Sequence, residues 1–262
     1  MHRKKLEPAY LVFAALGGLI LLFIVAPLLN MVFKCTPEQI VSAVRETEVQ
    51  GSIWLTLFSS MAATLLFAFA AIPFAYILAR KQFPLKEFIN GIIDIPIVIP
   101  HSAAGIALLG IIAPDSFLGR IGEALGFKFI GGYAGIMLGM AFVSVPFMIN
   151  AARDGFAAVP ERLEKAAMNL GASPMRVFFT ISIPMAWRSI LSGLILMWAR
   201  GMSEFGAVII IAYHPMITPI LIYERFCSFG LKYARPVSVL FIAICLMFFI
   251  CMRIIATREK SA

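Results

Sequence analysis

The chain has 262 residues, of which 61% are hydrophobic and 14% charged, and its formal net charge is +8. Soluble domains carry roughly 45–50% apolar and about 25% charged residues, so one water-soluble core cannot hold this much apolar matter. Lipid is the natural solvent for its long apolar runs. The positive balance fits basic cytoplasmic loops rather than nucleic acid, since no basic stretch carries a set of stacking aromatics.

Six runs are long enough to cross about 30 Å of hydrocarbon. The basic start, "MHRKKLEPAY", leads into Pro8–Phe33. That run exceeds the roughly 7–15 apolar residues of a cleavable signal, so it reads as a retained span. The second run is Ile53–Ala79, and the third is Phe88–Ala113, broken by Pro96 and Pro100. Tyr133–Ala152, Trp187–Ala212 and Val237–Ala256 complete the set. None alternates as a barrel strand would, and a lipid-embedded segment must satisfy its backbone internally, so all six are expected to be helices. The fold class is an all-α integral membrane protein, one membrane domain over 1–262, with no internal repeat and no linker to a soluble module. "CTPEQIVSAVRETEVQGS" and "YERFCSFGLKYAR" read as outer-side surface helices or loops.

Six spans put both termini on one side. Fourteen Lys and Arg residues fall on that side, among them Arg3, Lys4, Lys5, Arg80, Lys81 and Lys86; seven fall opposite, and Arg200 lies inside a span. The positive-inside rule therefore makes the termini cytoplasmic. The four cysteines, Cys35, Cys227, Cys245 and Cys251, have no metal spacing. Cys245 and Cys251 read as small core residues. Cys35 and Cys227 share the outer side, which leaves a disulfide open to them.

The cytoplasmic loop at about 153–185 contains "VPERLEKAAMNLGASPMRVFF". Pro160 suits a first helical turn, and Glu161 and Glu164 favour the positive end of a helix. Leu163, Ala166, Ala167 and Leu170 fall on one face at i, i+3, i+4 and i+7. Gly171 fits a helix stop, Ser173 an N-cap and Pro174 the first turn of a second helix. The apolar face, built around two alanines, either packs on the protein's own loops or on lipid headgroups, or accepts a closely approaching partner.

Polar residues within the spans are few. Arg200 and Glu204 are four apart and are expected on one helix, as a structural ion pair or as a lining of a path. Asp94 reads as a capping or path residue. His101 reads as a hydrogen-bonded packing residue. Ser203, Ser144 and Thr218 offer hydroxyls to a polar path. Pro96, Pro100 and Pro146 free backbone groups or kink helices.

The loop resembles the cytoplasmic motif of ABC-importer permeases: Glu-Ala-Ala, three residues, Gly, nine residues, then Ile, any residue, Leu, Pro. Here Lys165, Ala166, Ala167, Gly171, Ile181, Ile183 and Pro184 keep that spacing, with Lys165 in place of glutamate and Ile183 in place of leucine. Glu164 sits one residue before the motif's acid. "IDIPIVIPHSAAGIALLG" and "ARGMSEFGAVIIIAYHPMITPILIYERF" are similar to the third- and fifth-span signatures of molybdate, tungstate and sulfate permeases, and His101 suits their archaeal-type branch. The resemblance implies a type I ABC-importer permease fold with six spans per subunit. It implies a coupling helix around Glu164, Lys165, Ala166, Ala167, Leu170 and Gly171. It also implies a permease homodimer, two ATPase subunits and an extracytoplasmic oxyanion-binding protein docked on the outer loops, all in the cell membrane. The cargo implied is molybdate or tungstate, with sulfate, thiosulfate or another small solute as the alternative.

The chain has no phosphate-binding loop ending in Lys-Ser/Thr, so ATP and Mg belong to the partner ATPase, and no cofactor is expected here. An intramembrane enzyme is a remote alternative: three histidines and one intramembrane aspartate supply neither a nucleophile–base pair nor a metal cluster.

Overall fold

The computed structural model describes residues 8–258, and among these there are helices and no strand. Five helices are long and apolar enough to cross a membrane, six if a pair bent by more than 40° is counted as one span. The first, α1 (Pro8–Phe33), has no acid in its first turn and leaves nearly all of its large side chains exposed, leaning on the last helix. A short helix, α2 (Pro37–Arg45), starts on a reciprocal cap: Thr36 Oγ1 accepts the Gln39 N–H, and Gln39 Oε1 accepts the Thr36 N–H.

The second span, α3 (Thr47–Arg80), is 34 residues long. At 1.5 Å per residue it is about 51 Å, so it projects beyond the hydrocarbon. Its buried side carries Ser52, Thr56, Ser60 and Thr64 at four-residue spacing, followed by Ala68, Ala71 and Ala75. These small side chains let it approach α7 (Tyr133–Ala158), the most buried span. Thr56, Ser60 and Thr64 each donate to the carbonyl four residues back, so the hydroxyls are satisfied within their own helix.

The third span is two helices, α4 (Lys86–Val98) and α5 (His101–Ile112), bent by 113° at Ile99–Pro100. The expected break is present, and it falls at Pro100. Pro96 lies inside α4. Then come α6 (Phe117–Ala124) and α7. The loop at about 153–185 folds as α8 (Glu161–Asn169) and α9 (Pro174–Val177). A π turn over Phe178–Ser182 leads into α10 (Ile183–Met202). Pro184 has no N–H to donate, and the widened turn, closed by the Ile183 N–H on the Phe178 carbonyl, accommodates it.

The fifth span departs from expectation. It ends at Met202 rather than continuing to Ala212, so Arg200 and Glu204 do not share a helix. Ser203 Oγ donates back to the Arg200 carbonyl, and Glu204 Oε1 accepts the Ala207 N–H at the start of α11 (Gly206–Ile211). Gly206 and Gly105 let α11 and α5 meet closely. A Cβ on Gly206 would lie 2.7 Å from His101 Cβ, and one on Gly105 2.8 Å from the Ala207 carbonyl oxygen. Gly105→Ala is therefore expected to destabilise the protein by about 1–3 kcal/mol through overpacking against backbone. A thermal-unfolding midpoint in detergent equal to wild type would contradict this.

The shorter helix α12 (Thr218–Phe229) and the last span α13 (Leu231–Arg258) close the fold. All four cysteines are free, so the Cys35–Cys227 disulfide is not formed.

Candidate functional site

Two clusters stand out, one at the α8–α9 loop and one where the third and fifth spans break. At the loop, Pro160 precedes α8, Ser173 Oγ accepts the Arg176 N–H at the start of α9, and Gly171 adopts φ +91° between them. The Ala172 N–H reaches the Ala167 carbonyl and the Gly171 N–H the Met168 carbonyl, a pair of bonds that closes the helix and favours glycine at this left-handed position.

The orientation of α8 is set by Glu164. Its side chain is buried, 6% exposed, against the 8% exposed Arg80 at the end of α3. Arg80 Nη2 donates to Glu164 Oε1 at 2.8 Å, and Nε donates to both carboxylate oxygens at 3.1 and 3.0 Å. Ser182 Oγ, in the π turn, donates to Oε1 at 2.8 Å, and the Tyr76 hydroxyl donates to Oε2 at 3.2 Å. The second hydrogen of Arg80 Nη2 reaches the Val159 carbonyl at 2.9 Å. Tyr76 packs edge-on against Phe156 and tilted against Phe178, which walls the anchor with aromatic surface. One carboxylate thus ties together α3, α8 and the entry to α10.

The result is a helix that buries Glu164 and leaves most of its other residues, polar and apolar, exposed. Leu163, Ala166 and Met168 are exposed, Ala167 is half-buried and Leu170, just past the helix, is 90% exposed. The protein's own loops do not cover this face. Lys165, where the motif has glutamate, is exposed and paired with Glu161 at 2.7 Å; that bond and charge hold the Glu161 carboxyl below its ordinary range. Glu164 is an internal anchor rather than a surface carboxylate.

At the second cluster, the last turn of α10 brings Arg200 against His101, the first residue of α5. Arg200 Nη2 lies 2.8 Å from His101 Nε2 and 3.0 Å from Nδ1. Glu204 Oε2 is 3.2 Å from both Arg200 Nη2 and His101 Nδ1. Arg200 Nη1 donates to Ser203 Oγ at 3.2 Å. So Arg200, Ser203 and Glu204 come together, and His101 joins them as an ion-cluster member rather than a packing residue alone.

The remaining candidates lie apart from this cluster. Ser144 is buried and donates to the Met140 carbonyl, with Gly201 close by. Thr218 is buried against α3, its N–H donating to Thr56 Oγ1 at 2.8 Å. Asp94 accepts from Asn150 Nδ2 at 2.8 Å, a bond between α4 and α7. No group of three or more His, Cys, Asp or Glu among the described residues is placed to hold a metal.

Sequence reasoning missed Arg80, Tyr76 and Ser182. Arg80 counts only as a loop charge until the fold brings it to Glu164, and nothing local in the sequence signals that pairing. The four-spaced hydroxyls of α3 were visible as a pattern and were not used.

A family model described as "Binding-protein-dependent transport system inner membrane component" matches residues 71–260. The chain belongs to this family. It is a membrane transport component built on the ABC-importer permease fold. The molybdate/tungstate transport system permease protein of Pyrococcus abyssi is 41% identical over 251 residues, covering 95% of this chain and 96% of that one. A probable sulfate transport system permease protein of Zygnema circumcarinatum is 28% identical over 261 residues, covering 96% and 90%. Among solved structures, a bacterial ABC transporter involved in the import of the acidic polysaccharide alginate aligns with TM-score 0.73 at 15% identity, covering 95% of this chain and 96% of that one. That last likeness concerns the fold. The membership makes this a multi-pass membrane protein of an importer family.

Proposed function

We propose that the chain forms the membrane path of an ATP-driven importer for molybdate and tungstate. The observation that carries the cargo is the 41% identity over nearly the whole of both chains to a molybdate/tungstate permease, against 28% for a sulfate permease. In this reading two copies form the path and two ATPase subunits, which hold ATP and Mg, seat on the two α8 helices. A binding protein delivers the oxyanion to the outer face. ATP draws the ATPase subunits and the α8 helices together, and the path opens outward; hydrolysis reopens it inward. The buried anchor on Glu164 supports α8 as the coupling element, because motion of its exposed face is transmitted directly to α3 and α10.

The test is uptake into proteoliposomes holding permease, ATPase and binding protein. Labelled tungstate and molybdate are expected to accumulate with ATP, and sulfate far less. Accumulation of sulfate without tungstate would move the cargo to the alternative, and accumulation of none of the three would end the import reading.

The same proposal places the protein in the cytoplasmic membrane with both termini inside, supported by the excess of Lys and Arg on that side. Single cysteines at positions 84 and 172 are expected to react with an impermeant maleimide only after permeabilisation. Labelling of either in intact cells would reverse the topology.

A further inference from the structure

The cluster between the broken spans supports a more specific role, which rests on the oxyanion-import reading above. Glu204 is fully buried, whereas Arg200 is 24% and His101 33% exposed and Ser203 is exposed. Non-helical backbone within a membrane protein either packs against protein or meets water, and an arginine among apolar spans usually faces a protein interior or a polar path. The cluster therefore presents the accessible Arg200 guanidinium outward and keeps its carboxylate behind it.

The seat that holds Arg200 is imperfect. Glu204 Oε1 is committed to the Ala207 N–H, while Oε2, although 3.2 Å from two nitrogens, receives no well-formed hydrogen bond. Arg200 Nη2 instead lies within 3.0 Å of both ring nitrogens of His101. A guanidinium makes its strongest contacts as a fork onto two oxygens of one anion at about 2.7–2.9 Å. A tetrahedral oxyanion offers that geometry, and Glu204 here does not.

We propose that Arg200 is a cargo toggle. With the path empty it rests on Glu204 and His101. An oxyanion reaching the exposed side of the cluster takes it, and the resting seat reclaims it when the anion leaves. Glu204 then acts as an internal competitor that keeps the station weak enough to release its cargo, as permeation requires. Because the seat spans His101 on α5 and Glu204 ahead of α11, each exchange of Arg200 also loosens and remakes the contact between the third and fifth spans.

The test uses the whole transporter and inorganic tungstate as the probe, measured by equilibrium binding in detergent without ATP or binding protein. Glu204→Gln keeps the shape and the acceptor for Ala207 but removes the competing charge. It is expected to bind tungstate more than about tenfold tighter than wild type, since one opposing charge a few ångströms away is lost. Arg200→Gln is expected to abolish that binding. A purely structural ion pair predicts that both variants weaken together, so tungstate binding by Glu204→Gln no tighter than wild type overturns the toggle. Should Glu204→Gln fail to assemble, Ser203→Cys with the four native cysteines changed to serine gives a second readout. Millimolar tungstate is expected to slow its maleimide labelling, and unchanged labelling overturns the proposal. Wild-type uptake is measured alongside. Uptake of none of the three oxyanions condemns the import reading, whereas uptake without tighter binding in Glu204→Gln condemns the toggle alone.

Discussion

Arg80→Ala is expected to abolish ATP-driven uptake and to cost about 3–5 kcal/mol of stability, because it strands the Glu164 carboxylate in a buried site. The loss has two parts. Three charge-assisted contacts to Glu164 disappear, and so does the cap on the Val159 carbonyl where the chain enters α8. Glu164→Gln keeps the hydrogen-bonding shape, still accepts from Arg80, Tyr76 and Ser182, and loses only the charge. It should cost less than Arg80→Ala. In a double-mutant cycle, Arg80→Ala and Glu164→Ala should sum to more than the double variant loses, with a shortfall of about 0.5–3 kcal/mol. The double variant should still fall below wild type, since the Val159 contact lies outside the pair. Denaturant or thermal unfolding in detergent gives the energies and vesicle uptake the function. Full additivity would show that the two side chains act separately, and normal uptake by Arg80→Ala would show that α8 needs no rigid tie to α3.

The anchor also marks the limit of what sequence can reveal. Helix punctuation made α8 and α9 legible: Pro160, Gly171, Ser173 and Pro174 act within a few residues of themselves, and each stands where its local chemistry puts it. The pairing of Glu164 with Arg80 spans 84 residues, and only the packing of α3 beside the loop creates it. Periodicity identified an apolar stripe on α8 but not the direction it faces. The usual rule sends apolar residues inward, and here the residue sent inward is Glu164, held by a buried ion pair. The spans were legible from length and composition, and the third-span break from Pro100. The fifth-span break was not, because "FGAVIIIA" is as apolar as the helix before it. α10 ends at Met202, and α11 starts where the Glu204 carboxylate accepts the Ala207 N–H. That is a side-chain contact to backbone, which leaves no trace in hydropathy.

The exposed face of α8 sets the second large expected effect. Leu170→Asp should leave the permease folded, since that side chain is 90% exposed and makes no core contact to lose. It should nevertheless detach the ATPase, because a charge placed in an apolar contact must be desolvated without a partner. Gly171→Val tests the same element from the backbone side. No heavy atom lies within 4 Å of an added Cβ, so sterics alone would tolerate it; the φ of +91° would not. The strain, about 1–3 kcal/mol, would be relieved by unwinding the last turn of α8 and moving Leu170 off its position. Both variants should insert and bind tungstate as wild type does, since the cluster around Arg200 is built from other helices. Both should lose ATPase copurification and ATP-driven uptake together. If Leu170→Asp retained the ATPase and wild-type uptake, the partner would have to approach a different surface. The apolar side of α8 would then need another occupant, such as the membrane interface itself.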